Sequence, residues 1–385
     1  MTRPRVLHFG KYYPPHKGGI ETVVETLCRG EKRWAETQAL VTRRERSTVF
    51  EVIDDVPVRR VGSAATVGAV SIAPTLPMWL ARADADILVL HEPNPMALLA
   101  YCLARPAIPL VVWYHSEVIR PRWKYRLVYQ PLLDFALRRA ARVVVASPPM
   151  LDVEALAPYR AKCVVVPYGL PLERYSPAPA VLARADALRV EAVRPTLLFV
   201  GRLVRYKGVE VLLRAMPGLD ADAVVIGDGP CRASLESVAR ELGLGARVRF
   251  LGEVEGDELL AWYHACDVLV LPSITRQEAF GMVQLEAMLC ARPVVSTEVG
   301  TGVSWVNQHE RTGLVVRPGD PRELHHALAR LIGDTVMRRR LGDAARARVL
   351  EHFTAETMCN ATRLLYRDIG KATSSPARTE PAIAG

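Results

Sequence analysis

Two carboxylates eight positions apart, Glu278 and Glu286, bracket the step Phe280-Gly281-Met282 in the stretch QEAFGMVQLEAMLCARPVV (277–295). A pair of acids in otherwise apolar surroundings suggests a general acid and base, as in a hydrolase. Their setting argues for binding instead. DVLVLPS (267–273) reads as a buried strand that exits at Ser273, the loop ITRQEAFG delivers Glu278, and a helix starts near Met282. The first amides of that helix, around Gly281 and Met282, lack intrahelical partners and suit a phosphate, while glycine at 281 permits close backbone approach. Glu286 then lies about one turn into the helix, roughly 6 Å from its start, within reach of ribose hydroxyls on that phosphate. Glu278, on the loop, faces the group beyond it. Upstream, FVGRLVRYKG (199–208) leaves another strand and brings Arg202 and Lys207, two cations able to hold a diphosphate. Taken alone, that segment reads equally well as a solvated basic loop. The combination asks for a nucleoside diphosphate with a hydroxylated group at its far end, which describes a nucleotide sugar.

The elements that must position these residues form two series. At roughly 150 residues per domain, a chain of 385 residues holds two sizeable cores. RVLHF (5–9), QALVT (38–42), DILVL (86–90), PLVVWYH (109–115), RVVVAS (142–147) and KCVVVP (162–167) read as buried parallel strands with helices between several of them. PLERYSPAPAVLARADA (171–187) shows no core periodicity and reads as a connector. PTLLFVG (195–201), ADAVVIG (221–227), RVRFLG (247–252), DVLVLPS, RPVVST (292–297) and GLVVRP (313–318) form the second series, with helices expected around 207–216, 231–242, 256–265, 282–291 and 321–331. Residues 334–369 read as helical and 371–385 as a loose tail. Two doubly wound α/β units place a cleft between the carboxyl ends of two sheets, where ligands of this class bind. By that rule Asp84/Asp86 and Asp220/Asp222, which precede their strands, are turn residues and not metal ligands; no His/Cys spacing suggests zinc.

The formal charge of +9 is one-sided: 26 basic against 17 acidic residues up to position 190, and 24 against 24 beyond it. No zinc-finger spacing, RNA-binding aromatic signature or basic heptad helix accompanies it, so nucleic acid is excluded in favour of an anionic surface or acceptor. IRPRWKYRLVYQPLLDFALRRAAR (119–142) sets Arg120, Arg122, Lys124 and Arg126 among Trp123 and Tyr125, with Arg138, Arg139 and Arg142 following. Such interleaving suits an anionic membrane, though a solvated helix face explains it as well. Seven scattered cysteines without a CxxC pair point to a reducing compartment. No apolar run reaches the roughly 18 residues of a membrane span, so the expectation is a cytoplasmic protein with peripheral membrane contact.

The pair Glu278/Glu286, the GRLVRYKG segment and the turn GDGP (227–230) together resemble the retaining nucleotide-sugar glycosyltransferases of family 4, which have the GT-B fold: two Rossmann-like domains facing a central cleft. The resemblance covers about 190–350 most specifically. It implies an acceptor-binding domain over 1–170, a linker over 171–192, a nucleotide-sugar-binding domain over 193–350, a helix over 351–370 crossing back to the first domain, and a disordered tail over 371–385. It further implies that Arg202 and Lys207 hold the diphosphate, that Glu286 binds the ribose and that Glu278 contacts the donor sugar. Phe280, Gly281 and Met282 then line the phosphate, and Gly252, Glu253 and Val254 flank the base. In the first half, Gly18 and Gly19 resemble the glycine loop that approaches the donor phosphate, and His115, at the exit of PLVVWYH, matches the active-site histidine near the donor sugar. HEPNP (91–95), WYHSE (113–117) and STEVGTGVSWVNQ (296–308) further resemble bacterial O-antigen and exopolysaccharide mannosyl- or rhamnosyltransferases that use GDP-sugars. The implied activity is retaining transfer to a lipid-linked saccharide with no metal and no cofactor beyond the donor, the leaving diphosphate taking the acceptor's proton. Competing readings are a nucleotide-sugar epimerase of the same fold and a non-catalytic binder of an anionic polymer; a dehydrogenase is disfavoured by the absence of G-x-G-x-x-G.

Overall fold

The computed structural model describes residues 3–16, 18–68, 70–117 and 125–374, side chains of 372–374 excepted. Its described strands form two main sheets. The first contains β1 (Arg5–Phe9), β2 (Glu36–Thr42), β3 (Val49–Ile53) and β4 (Val56–Val61); a small ladder of β5 (Ala65–Val67) with β6 (Val70–Ile72) stands apart, and β7 (Ile87–Glu92), β8 (Leu110–Tyr114), β9 (Arg142–Val145) and β10 (Cys163–Val165) complete it. The order is β10-β9-β8-β7-β1-β2-β4-β3, parallel except for β3 on β4. The second sheet contains β11 (Thr196–Val200), β12 (Asp222–Ile226), β13 (Val248–Gly252), β14 (Val268–Leu271), β15 (Val294–Thr297) and β16 (Gly313–Val316) in the order β13-β12-β11-β14-β15-β16, all parallel. The strands are near-continuous apolar runs because helices cover both faces. In each sheet the order reverses once, between β1 and β7 and between β11 and β14, and it is outside such reversals that this architecture binds ligands.

Three features differ from the sequence expectation. The hairpin β3–β4 is an addition, its turn made by Asp54 and Asp55 at φ 49° and 62°. The connector is not featureless: Pro179–Glu191 is a helix that buries Val181, Ala185 and Leu188 and is tied by Arg184 to Glu258 on the helix Gly256–Ala265. The C-terminal helical region is two helices, Thr335–His352 and Ala355–Ser374, the second running past the expected start of the tail. Residues 375–385, the rest of the expected tail, lie outside the described residues, as do Arg120, Arg122, Trp123 and Lys124.

The chain passes between the sheets twice at one place. Leu170 N donates to Phe353 O (2.8 Å) and Ala355 N to Leu170 O (2.8 Å). Beyond that ladder the last helix lies on the helix Gly19–Glu31 of the first half, with Tyr366 and Trp34 rings 6.0 Å apart. Tyr168, Leu170, Phe280 and Phe353 join the core beneath one face of each sheet into a single cluster. Each expected aspartate pair is held by an arginine at the amino end of a sheet: Arg5 bonds Asp84 and Asp86, and Arg194 bonds Asp220 at 2.9 Å and lies 3.6 Å from Asp222.

Candidate active site

The site is assembled by the exits of β11 and β14, on either side of the reversal in the second sheet. Gly208, at φ 68°, crosses so close over the exit of β14 that any Cβ would lie 1.9 Å from the carbonyl oxygen of Pro272. Only glycine permits that crossing, and it delivers the preceding residue to its partner. Lys207 Nζ lies 2.6 Å from Glu278 Oε2, with both side chains largely shielded from solvent. Burial works against the Lys207 ammonium, but the pull of Glu278 prevails and raises its pKa above the usual lysine value. Ser273 Oγ donates to the same Glu278 oxygen at 3.0 Å, and Thr301 Oγ1 to the Glu278 carbonyl at 2.6 Å. The acid is therefore fixed in both side chain and backbone. Arg202, on the same strand-exit loop as Lys207, is exposed and makes no ion pair among the described residues. The loop thus offers one cation already matched to an acid and one free for an incoming anion.

The helix Met282–Leu289 starts beside this pair. Gly281 stands at φ 75°, and a Cβ there would meet Leu271 Cδ2 at 2.6 Å, so a side chain would both strain the backbone and push the Leu271 side chain aside. No side chain caps the first turn, leaving its amides for a ligand. Glu286 follows one turn on, half-buried, its Oε1 accepting from Tyr175 at 3.0 Å and its Oε2 from Tyr263. Burial raises its pKa, and the two phenols counteract this in part. Both hydroxyls are donors to the carboxylate, and each carboxylate oxygen keeps a second lone pair for a sugar hydroxyl. Near the expected base site, Gly252, at φ 73°, accepts from Gly227 N at 2.6 Å; Glu253 is exposed and Val254 half-buried.

Two expected residues lie elsewhere than on the cleft surface. Phe280 is 2% exposed, its ring among Tyr168 (4.8 Å), Phe353 (6.0 Å) and Trp305 (6.4 Å), so its side chain belongs to the core; Met282 is half-buried. His115 is also 2% exposed, and both ring nitrogens are taken: Nε2 by His91 Nδ1 (2.9 Å) and Nδ1 by the Tyr168 hydroxyl (2.6 Å). Burial depresses its pKa to about 3, so the ring is neutral. In the other half, Gly18 precedes the helix Gly19–Glu31 in extended backbone, and neither glycine is required by packing: Gly19 has open space around it, and over Gly18 stands only the carboxylate of Glu21. An anion at those amides shares the place with an acid.

Sequence reasoning missed Tyr175 and Tyr263, which hold Glu286, and a pairing across the cleft: Arg276, two residues before Glu278, reaches Glu117, two residues after His115, at 3.0 Å. It also missed His8 and His91. Their signal is visible in hindsight, since VLHF, LVLHE and VWYH each place a histidine in or just beyond a fully buried strand.

The chain matches the family description "Glycosyl transferases group 1" over residues 186–348 and "Glycosyl transferase 4-like domain" over 18–169. It is 35% identical over 356 residues to the D-rhamnosyltransferase WbpZ of Pseudomonas aeruginosa, covering 91% of this chain and 92% of that one. It is 32% identical over 375 residues to the O-antigen chain mannosyltransferase C of Escherichia coli, covering 94% and 98%. Among solved structures it resembles sucrose-phosphate synthase from Thermosynechococcus elongatus (TM-score 0.81, 22% identity, 96% of this chain and all of that one) and Anabaena HepE in complex with UDP (TM-score 0.74, 21% identity, 94% and all). These likenesses and the two doubly wound sheets identify the GT-B architecture, and the chain belongs to the group 1 glycosyltransferases.

Proposed function

We propose that the enzyme transfers a sugar, mannose or a related sugar, from a GDP-sugar to a lipid-linked or saccharide acceptor in the synthesis of cell-surface polysaccharide of the O-antigen or exopolysaccharide type, with retention of anomeric configuration. The observation that carries the donor reading is the Lys207–Glu278 pair beside the uncapped helix that bears Glu286. Arg202, Lys207 and the amides after Gly281 take the charge that develops on the leaving diphosphate, which makes a metal ion unnecessary. Glu278 orients the sugar and Glu286 the ribose. The diphosphate oxygen accepts the acceptor's proton on the face where the acceptor attacks, so no protein nucleophile is required. The names of the two full-length relatives support the mannose or rhamnose class and the polysaccharide setting.

A lipid-linked acceptor requires the enzyme at the cytoplasmic face of the inner membrane. None of the helices in the described residues is long and apolar enough to cross a membrane. Peripheral contact is supported by Leu127 and Val128, 71% and 64% exposed beside Arg126 and next to the basic, aromatic stretch 119–124. The test is a panel of GDP-, UDP-, ADP- and dTDP-sugars, scored by thermal shift and donor consumption, on the wild type, Arg202→Ala and Glu286→Ala. A GDP-sugar that stabilises the wild type, is consumed only with acceptor, and loses its effect in both variants supports the reading. Epimer or free sugar formed without acceptor points to the epimerase. No nucleotide sugar bound and none consumed with any lipid acceptor sinks it.

A further inference from the structure

Three histidines from neighbouring parts of the first sheet form a buried chain of hydrogen bonds. Glu31 Oε2, on the helix Gly19–Glu31, lies 2.9 Å from His8 Nε2; His8 Nδ1 lies 3.0 Å from His91 Nε2; His91 Nδ1 lies 2.9 Å from His115 Nε2; and His115 Nδ1 lies 2.6 Å from the Tyr168 hydroxyl. All five residues are at most 5% exposed. The rings stack in sequence, His8 on His91 at 5.3 Å and His91 on His115 at 5.2 Å, with planes 21° and 15° apart. Polar rings in the middle of a sheet core cost free energy that valine or leucine would not, so their retention asks for a reason.

The connectivity supplies one. A neutral imidazole has one N–H and one lone pair, so fixing its proton on one nitrogen fixes what the other must do. Each link here joins opposite nitrogens of successive rings. A carboxylate at Glu31 only accepts, so His8 carries its proton on Nε2 and accepts on Nδ1 from His91 Nε2–H. His91 then accepts on Nδ1 from His115 Nε2–H, and His115 accepts on Nδ1 from the Tyr168 O–H. Burial lowers the pKa of both His91 and His115, which keeps the rings neutral and this order intact. Tyr168 belongs to the segment between the two sheets, and its ring packs against Phe280, the residue before Gly281.

We infer that Glu31, His8 and His91 are positioning residues for sugar transfer: their relay decides which nitrogen of His115 bears the proton, commits the Tyr168 hydroxyl inward, and so fixes the connector and Phe280 behind the donor loop. The inference rests on the reading that the site around Lys207 and Glu278 holds the donor. It is tested on the full-length chain labelled with nitrogen-15 in histidine, by ring-nitrogen NMR without any donor and by turnover kinetics. In the wild type His8, His91 and His115 are each expected as the Nε2–H form. Glu31→Gln, whose amide donates as well as accepts, is expected to give His115 in both neutral forms and to lower kcat about tenfold with donor KM nearly unchanged, the low end of what losing the outer partner costs a metal-bound histidine. His8→Leu, which replaces the ring by an apolar group, is expected to do the same and decides the matter if the first variant does not fold. An Nδ1–H form of His115 in the wild type, a His115 form unmoved by either variant, or a changed form with unchanged kcat overturns the inference. The NMR arm needs no substrate, so an intact relay in a protein that consumes no nucleotide sugar counts against the donor reading and not against the relay.

Discussion

In the second half of the molecule the exits of β11 and β14 hold a full ion pair, Lys207 with Glu278 at 2.6 Å, and a free arginine beside it. Two exits in the first half, those of β7 and β8, keep buried neutral groups behind Glu117, the acid that reaches Arg276. Burial pushes Glu92, at the end of β7, up to about 8 and His115 down to about 3, so both are uncharged at pH 7. The two halves share an architecture and face one cleft, yet one concentrates charge with unused valences while the other closes every valence of its histidines internally. Charge that is kept in a shielded place without being exhausted is what a charged ligand can use; a saturated neutral chain holds shape.

The contrast is broken most severely at the ion pair. Lys207→Ala or Glu278→Ala leaves its partner uncompensated and should cost about 3–5 kcal/mol in a urea melt, with kcat lower by about 10²–10³. The double change Lys207→Met with Glu278→Leu should recover most of the stability and none of the activity. A double variant that transfers sugar would show that the charge there is structural. Next in size is Glu92→Gln. The folded pKa of Glu92, about 8, exceeds its ordinary 4.5 because of burial, so the unfolded chain gives up its proton first and wild-type stability falls as pH rises from 4.5 to about 8. The glutamine variant has no such titration. Its stability relative to wild type should therefore grow across that window by on the order of a few kcal/mol and then level off.

Gly281→Ala should cost about 1–3 kcal/mol through its positive φ and its contact with Leu271, and weaken donor binding with it. Glu286→Gln keeps the two tyrosine contacts possible but removes the charge. We expect donor KM to rise about tenfold with kcat little altered, the pattern of lost uniform binding. The smallest effect belongs to the cross-cleft pair: Glu117→Gln should change stability by at most about 1 kcal/mol, and by less in high salt, because the pair is partly exposed.

Most strands were legible because parallel strands covered on both faces are short uninterrupted apolar runs, VLVL in β14 being the clearest. The hairpin β3–β4 was not, since one side of it meets solvent: Phe50 and Val52 are exposed, and Arg59 and Arg60 interrupt the run. The connector helix escaped because alanines and charged residues dilute its apolar face, although Val181, Ala185 and Leu188 recur at helical spacing. At the site, the acids, the cations and the helix start were each readable from local order. That Lys207 pairs with Glu278, 71 positions along, was not, because it depends on one loop crossing another at Gly208. The relay was hidden for a related reason: three single histidines on separate strands become one object only after β1, β7 and β8 lie side by side.

The ladder between Leu170 and the Phe353–Ala355 turn has a mechanical consequence. Two bodies joined by one strand can swing and twist about it. Joined by two strands bonded to each other, they keep the swing and lose much of the twist, since twisting shears the bonds. Gly169 tightens the joint further, because a Cβ there would lie 2.1 Å from the Thr354 carbonyl oxygen. Whatever motion the halves make, the cation loop and the first-half rim of the cleft therefore stay in register, and the cleft works as a door on two pins.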